Sequence, residues 1–313
     1  MFTYNRAESL LRLLSAFSSG PFRNCRITVL DNCSTDRTPE VCAELSGKFR
    51  ELRHLRHPKN IGGLANYLRA IELAQSEYTW VLCDDDHYAF DCEDLITRLE
   101  SSAFDVFSVG LAGHKTPGGY SGNLQDLAEK SPFFFEHSLV STLIFKTSLY
   151  APELIRAAYD NIFTMFPHFP FLASLVERNV TIYTCEKKMI TAGVNLGYSG
   201  FAYLRGWLQS VRAIRERSIR QLAYRDVFKG SPFWHILLFS ILIERSHRPT
   251  RYRADYLRLL EAAGMWGPLA FLKVLAAFPF VFMPGFLHQV LWNTYAKYRA
   301  KNGKPLPNFD EDR

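Results

Sequence analysis

Short apolar runs and turn-rich polar segments follow one another through the first part of the chain. RITVLD, residues 26–31, is a β-branched run ending in a carboxylate, and NCSTDRT continues it as a loop. From Pro39 to about Phe49 the apolar residues fall at helical spacing. LRHLRHPKNIGGL then reads as a strand with a Gly-containing loop, Ala65 to Gln75 as a second helix, and TWVLC, residues 79–83, as a compact strand running into three aspartates. Alternating strand and helix units predict an α/β domain with a mostly parallel sheet, in which ligands sit outside the carboxyl ends of the strands. The polar clusters DNCSTD and DDDH both fall at such ends. Gly113 to Ser131 is Gly-rich and polar, which predicts an exposed loop.

From about residue 201 the pattern changes, which divides the chain into a domain over 1–200 and a helical extension over 201–313. YLRGWLQSVRAIRERSIRQLAYR sets Leu204, Leu208, Val211, Ile214 and Ile219 among arginines, as a basic amphipathic helix does. FWHILLFSILI (233–243) is too short to cross a bilayer as a helix; residues 267–292 are long enough but carry Lys273, Pro279, Pro284 and His288. Trp266, Trp292, Tyr295, Lys297, Tyr298 and Arg299 flank that stretch as interfacial residues would. A helix pair lying in a membrane surface fits better than a clean span. A buried helical subdomain with a basic outer face is the other reading.

Composition and charge narrow the partners. With 313 residues, 48% of them apolar, the chain has ample material for a buried core and is not a disordered protein. Its six cysteines form no CxxC pair and no zinc-like Cys/His spacing, and no signal-peptide pattern precedes them, which predicts a reducing, cytosolic setting. Residues 201–313 hold 18 Lys+Arg against 8 Asp+Glu, a net +10, whereas residues 1–200 are net −4. The basic residues are interleaved with aliphatic runs and belong to no groove-reading motif, which argues against nucleic acid and for an anionic membrane surface.

The aspartates of VLCDDDHY carry the chemistry. Three adjacent carboxylates read as a solvated acidic turn or as acids in the first turn of a helix. At a strand end in a cleft they repel one another unless a cation sits between them. Mg²⁺ or Mn²⁺ typically takes one or two carboxylates plus substrate phosphates, so a metal-bound pyrophosphate is the natural partner.

TYNR (3–6), VLDNCSTDRT (29–38) and NIGGLANYLRAIELAQSEYTWVLCDDD (60–86) resemble, in content, order and spacing, the nucleotide-sugar-binding half of family 2 glycosyltransferases. The resemblance implies a GT-A fold and transfer of a sugar, with inversion, from a nucleotide-sugar donor to an acceptor hydroxyl, with Mn²⁺ or Mg²⁺ as cofactor. It places Thr3, Asn5 and Arg6 in the nucleotide pocket and Asp31 as acceptor of a hydrogen bond from the base, with Asn32 and Ser34 shaping the loop. Asn60 and Gly62 belong to an NxG turn in which glycine lets backbone approach the ligand, and Asn66 faces the same pocket. Asp85 or Asp86 holds the metal and Asp84 the sugar nucleotide; an Asp84-x-Asp86 pair sharing metal and ribose is the other alignment. Cys83 stands where the family often has its first Asp.

Two further features depart from the family. FPHFPFLASLVERNVTIYTCEKKMI (166–190) resembles the catalytic-acid helix and closing strand, but His168 and Pro167 occupy the positions of the expected carboxylates. His168 can itself take a proton, and Glu136 and His137 in PFFFEHSLVSTLIF, which resembles the part of the family that lines the acceptor pocket, are the competing candidates. A buried strand usually precedes TYNR, and here only Met1 and Phe2 do, which predicts either an upstream start or neighbours left exposed. The acceptor implied is a saccharide, lipid-linked, at the inner face of the cell membrane, as in bacterial surface-polysaccharide pathways. A nucleotidyltransferase of similar fold lacks its Gly-rich phosphate loop here, and an inactive membrane-associated scaffold is the remaining alternative.

Overall fold

The computed structural model describes residues 1–89, 93–191, 200–229, 231–245 and 251–301; Cys92, one of the six cysteines, and the side chain of Arg299, named above, lie outside what is described. Three parallel strands carry the first polar loops: β1 (Phe2–Thr3), β2 (Arg26–Asp31) and β3 (Glu51–Arg56), with β2 between the others. β2 forms where Ile27, Val29 and Leu30 supply the buried side chains of a pleated surface. Helix α1 (Ala7–Ser18) buries Ala7, Leu10, Leu13, Leu14 and Phe17 along one face, and packs beside α2 (Thr38–Leu45). Each such fully buried Leu or Phe stabilises the fold by roughly 1.5–3 kcal/mol. Helix α3 (Gly63–Glu72) follows Gly62, whose φ of 87° lies in the left-handed region that glycine enters without strain.

The next strands are β4 (Tyr78–Trp80), β5 (His87–Tyr88), β6 (Val106–Ser108), β7 (Ser121–Asn123), β8 (Leu143–Lys146), β9 (Thr181–Thr184) and β10 (Ile190–Thr191). Five of them form a second sheet in the order β4-β8-β6-β9-β7, and β5 pairs antiparallel with β10. The mostly parallel pairing expected of the sheet holds in β1–β2–β3 and in β6–β9, whereas β8 runs against both of its neighbours, and β7 against β9. The two sheets meet where Phe2 bridges Cys83 and its N–H donates to the Leu82 carbonyl at 3.3 Å. This contact lets a two-residue strand cover its neighbours: Leu30 and Leu82 are 2% and 4% exposed, not open to solvent. A cavity of about 170 Å³ nevertheless remains between β2, β4 and the end of α3, lined in part by Met1, Thr28, Leu30 and Val81.

Helices α4 (Glu93–Glu100), α5 (Leu124–Lys130), α6 (Phe133–Glu136), α7 (Pro152–Asp160) and α8 (Phe169–Glu177) complete the part before residue 200. The loop expected over Gly113–Ser131 contains β7 and α5, because Leu124, Leu127 and Ala128 are spaced to bury one helical face. Beyond it lie α9 (Gly200–Arg212), α10 (Arg217–Tyr224), α11 (Ser231–Phe239), α12 (Tyr252–Trp266), α13 (Pro268–Leu275), α14 (Phe278–Val281) and α15 (Gly285–Lys301). The single basic helix expected over 203–225 is α9 and α10, parted at 213–216, where Glu216 caps α10 by accepting from the Ser218 N–H at 3.1 Å. Its apolar stripe is core: Leu204, Leu208, Val211, Ile214 and Ile219 join one buried cluster with Leu124, Phe169 and Tyr256. Trp207 is wholly buried there, its indole N–H on the Ala223 carbonyl at 2.9 Å.

Among the described residues no single helix is long and apolar enough to cross a membrane. Residues 268–281 and 285–298 reach that composition only as a pair bent by 102°. The pair buries Ala270, Val274 and Val281 inward and leaves Leu269, Leu272, Phe280, Phe286 and Val290 exposed outward.

Candidate active site

Four loops gather at the carboxyl ends of β1, β2, β3 and β4, and side-chain-to-backbone hydrogen bonds tie them together. Asn5 and Cys33 both adopt positive φ, 50° and 67°, so the chain turns sharply out of β1 and β2. The Asn5 N–H donates to Ser34 Oγ at 2.9 Å, and Asn5 Oδ1 accepts from the Thr35 N–H at 2.7 Å. Asn32 Nδ2 donates to Asn60 Oδ1 at 2.8 Å, while Asn32 Oδ1 accepts from the Ile61 N–H at 2.9 Å. Asn60 Oδ1 also takes the Gly62 N–H at 2.8 Å, which shapes the turn into α3. Asn66, expected in the pocket, is buried and holds the Leu30 carbonyl at 3.1 Å and His57 Nε2 at 2.9 Å.

Asp31, expected to accept a hydrogen bond from the base, also has partners within the chain. It is wholly buried; Oδ1 accepts from the Ser34 N–H at 2.7 Å, and Oδ2 faces His54 at 3.2 Å and Arg56 at 3.6 Å. Its carboxylate therefore fixes the 31–35 loop and joins β2 to the end of β3. Asp36, which the sequence reading passed over, links the same loop to α1 by accepting from the Ala7 N–H at 2.8 Å. That contact supplies the cap missing from Arg6, which stands at the helix N-terminus without one of its own.

The three aspartates have three environments. Asp84 is 3% exposed, and its two oxygens accept from Thr3 Oγ1 at 2.6 Å and Arg6 Nη1 at 2.8 Å. Burial pushes its carboxyl up, and Arg6 and Thr3 oppose the shift. Asp84 thus anchors Arg6 from below, where a contact to the sugar nucleotide was expected. Asp85 is the more open one, and shares the same Arg6 nitrogen at 2.7 Å. Asp86 is buried and accepts from Ser141 Oγ at 3.0 Å. One donor atom each from Cys83, Asp85 and Asp86 lie within 4.8 Å of one another, the one such group among the described residues. Two carboxylate oxygens on one side of a cleft suit a hard divalent cation that keeps other positions for phosphate oxygens, so these residues fit the metal expected of them.

Glu136 and His168 lie on either side of Ser141 in sequence, and the structure gives them different work. Glu136 is 2% exposed and accepts from the Lys115 N–H, the Thr116 N–H at 3.1 Å and the Thr116 hydroxyl. So many donors on one carboxylate make it the anchor of the 113–119 loop. His114 lies 3.8 Å from it, but His114 Nδ1 accepts from the Leu111 N–H at 3.1 Å, and burial lowers its pKa. His168 ends the turn before α8, 5% exposed among Tyr67, Phe166 and Phe169. Burial pushes its imidazole down to about 4, against a backbone hydrogen bond with His137, and its Nε2 has no partner. Burial likewise drives the His137 imidazole well down; Nδ1 pairs with Thr142 Oγ1 at 2.9 Å, and Nε2 is unpartnered. Beside Glu136 two adjoining cavities of about 550 and 480 Å³ open, both lined by His114, Phe135, His235 and Ile236.

Ser141 and Tyr88 are the residues that sequence reasoning missed. Ser141 Oγ accepts from the Cys83 N–H at 3.0 Å and donates to Asp86, and the Tyr88 hydroxyl donates to the Cys83 carbonyl at 3.1 Å. Tyr88 sits close to the aspartates in the chain, but a serine 55 positions from Asp86 gives no local signal.

The sequence model of Glycosyl transferase family 2 matches residues 1–169. Among curated proteins the chain is similar to the abequosyltransferase RfbV of Salmonella typhimurium, 30% identical over 108 residues that make up 34% of this chain and 32% of that protein. It is also similar to the poly(ribitol-phosphate) beta-N-acetylglucosaminyltransferase TarS of Staphylococcus aureus, 26% identical over 177 residues, 52% of this chain and 30% of that one. The match thus spans about a third of the length of these curated relatives. Among solved structures, S. aureus TarS 1–349 in complex with UDP-GlcNAc aligns with a TM-score of 0.58 at 16% identity, over 97% of this chain and 90% of that one. Full-length TarS aligns equally well over 96% of this chain and 52% of its own. At this identity the likeness shows the fold, GT-A, and its coverage takes in the C-terminal helices.

Proposed function

Because the chain belongs to glycosyl transferase family 2, we propose that it passes a sugar from a nucleotide-sugar donor to an acceptor hydroxyl, with a divalent cation held at Asp85 and Asp86. The observation that carries this reading is the convergence of Cys83, Asp85 and Asp86 at the edge where the 3–6, 31–36 and 60–62 loops also end. A bound Mn²⁺ or Mg²⁺ supplies charge neutralisation of the departing nucleoside diphosphate. The chain's own residues do the rest. Arg6, seated on Asp84 and Asp85, puts a guanidinium beside the diphosphate, and the Asn5, Asn32 and Asn60 loops hold the nucleotide side. The acceptor oxygen attacks the anomeric carbon as the bond to the diphosphate breaks, and the acceptor proton passes to a base. Of the candidates, Glu136 has its oxygens filled by Lys115 and Thr116, while His137 and His168 each keep a neutral, unpartnered Nε2; His168, in the segment that resembles the family's catalytic-acid helix, is the proposed base.

The acceptor we propose is a lipid-linked saccharide at the inner face of the cell membrane. The exposed Leu269, Leu272, Phe280, Phe286 and Val290 of the bent α13–α15 pair are the surface that would lie in the lipid. L269D combined with F286D tests this without cutting into the core: vesicle flotation should be lost, and retained flotation removes the membrane from the reading. The donor is tested by thermal shift with UDP, GDP, CDP and ADP, each with and without Mn²⁺. Stabilisation by one of them that requires the metal is the expected result. No shift with any of them overturns the transferase reading.

A further inference from the structure

Cys83 occupies the inner end of the acidic run, and its Sγ lies within 4.8 Å of carboxylate oxygens of both Asp85 and Asp86. Its backbone is pinned on both sides, the N–H by Ser141 Oγ at 3.0 Å and the carbonyl by the Tyr88 hydroxyl at 3.1 Å. Ser141 Oγ also donates to Asp86 at 3.0 Å, so one buried hydroxyl ties the Cys83 backbone to the Asp86 carboxylate. Asp85 is the most open of the three aspartates and is held within the chain by Arg6 at 2.7 Å. With bonds of about 2.3 Å to sulfur and about 2.1 Å to oxygen, two donors on one ion sit roughly 3.6 Å apart, so a closure of about 1 Å, within reach of an Asp85 rotation, brings the three together.

We propose that Cys83 is a ligand of the divalent cation at this edge, which sets the site apart from an all-oxygen one and turns its preference from Mg²⁺ toward thiophilic divalent cations of the Zn²⁺ and Co²⁺ kind. The proposal rests on the metal reading of the Asp85–Asp86 edge given above. Carboxylate and phosphate oxygens suit Mg²⁺ and Mn²⁺ alike, whereas a sulfur donor selects against Mg²⁺, which demands oxygen and gives up water reluctantly. On binding, the S–H bond breaks, its proton goes to solvent, and the sulfur lone pair is donated to the metal. No electron is transferred.

The test uses the full chain, reduced and stripped of metal, with Co²⁺ as probe in the presence of the nucleoside diphosphate that stabilises it best. Bound Co²⁺ is counted by equilibrium dialysis, and sulfur ligation is read from the near-ultraviolet sulfur-to-cobalt charge-transfer band. The expected result is about one equivalent of Co²⁺ with the band in the wild type, loss of the band in both C83D and C83S with Co²⁺ still bound by C83D, and displacement of Co²⁺ by Mg²⁺ more readily in C83D than in the wild type. Bound Co²⁺ without the band in the wild type, or a band that survives both substitutions, overturns the role of Cys83 while leaving the carboxylate site standing. Absence of bound Co²⁺ in every protein overturns the metal reading together with it.

Discussion

At the acidic edge each described charge meets a donor that the chain itself supplies: Thr3 and Arg6 on Asp84, Arg6 on Asp85, Ser141 on Asp86. In the histidine pair behind Glu136 the opposite holds, because Nε2 of His137 and of His168 are buried and meet no donor. A buried acceptor left in that state costs about 1–3 kcal/mol. The contrast separates two tasks. The edge holds negative charge in position before any cation or diphosphate arrives, so little reorganisation is needed when one binds. The pair keeps neutral nitrogens with open lone pairs, the state in which an imidazole accepts a proton.

The largest expected effect breaks the edge. D86N removes a charge from the cation site while keeping the shape, and sugar transfer should fall by roughly 10²–10³-fold with loss of Mn²⁺-dependent nucleotide stabilisation. Transfer within a few-fold of wild type would move the cation elsewhere and end the division of tasks. H168A attacks the other side. Turnover should fall by roughly 100-fold or more while nucleotide binding survives, because the donor loops do not touch His168. If turnover is unchanged and E136Q instead abolishes it, Glu136 is the base and the open nitrogens are a packing feature.

These two sides were unequally legible in the sequence. RITVLD, TWVLC and the loops after them announced the edge, because a strand's period and the turn residues that end it are local properties of the chain. Asp31 and Asp84 were visible as site residues but their partners within the chain were not, since which way a carboxylate turns depends on residues 25 to 81 positions away such as Arg56 and Thr3. Ser141 was silent for the same reason. The arginine-rich stretch after residue 201 misled differently: its amphipathic pattern is that of a helix meeting any apolar surface, and here the surface is the protein's own core around Trp207 and Tyr256. The break at 213–216 lay hidden because no proline or glycine marks it.

Acid sharpens the contrast by acting on the histidines. His168 sits at about 4 in the folded protein against an ordinary 6.5, so between those values the unfolded chain binds the proton and the folded one does not. Stability contributed by its neutral burial is present above pH 6.5 and is lost as the pH falls toward 4, by up to about 3 kcal/mol. Asp226 works the other way: burial raises its carboxyl to about 7 despite Arg225, so its contribution is fullest below the ordinary carboxylate pKa and fades as the pH rises toward 7. Urea unfolding at pH 5 and pH 7.5 should show H168Q flatter with pH than the wild type, and D226N losing more on acidification. Superposable profiles for H168Q and wild type would mean that His168 charges freely in the folded state, and the contrast between the two regions would go with it.

The smallest effect tests how the edge is held. Ser141 Oγ joins the Cys83 backbone to the Asp86 carboxylate and lies outside the residues proposed to hold the substrate. S141A therefore leaves the cation's donors in place but loosens their spacing, and residues that orient metal ligands in this way are worth about tenfold in metal affinity at the low end. The expected signature is a Mn²⁺ requirement displaced to higher concentration with turnover restored at saturation. A loss of turnover that saturating Mn²⁺ does not restore would point to a collapsed strand end, since a buried Cys83 N–H without its acceptor destabilises the fold by an amount that no cation replaces.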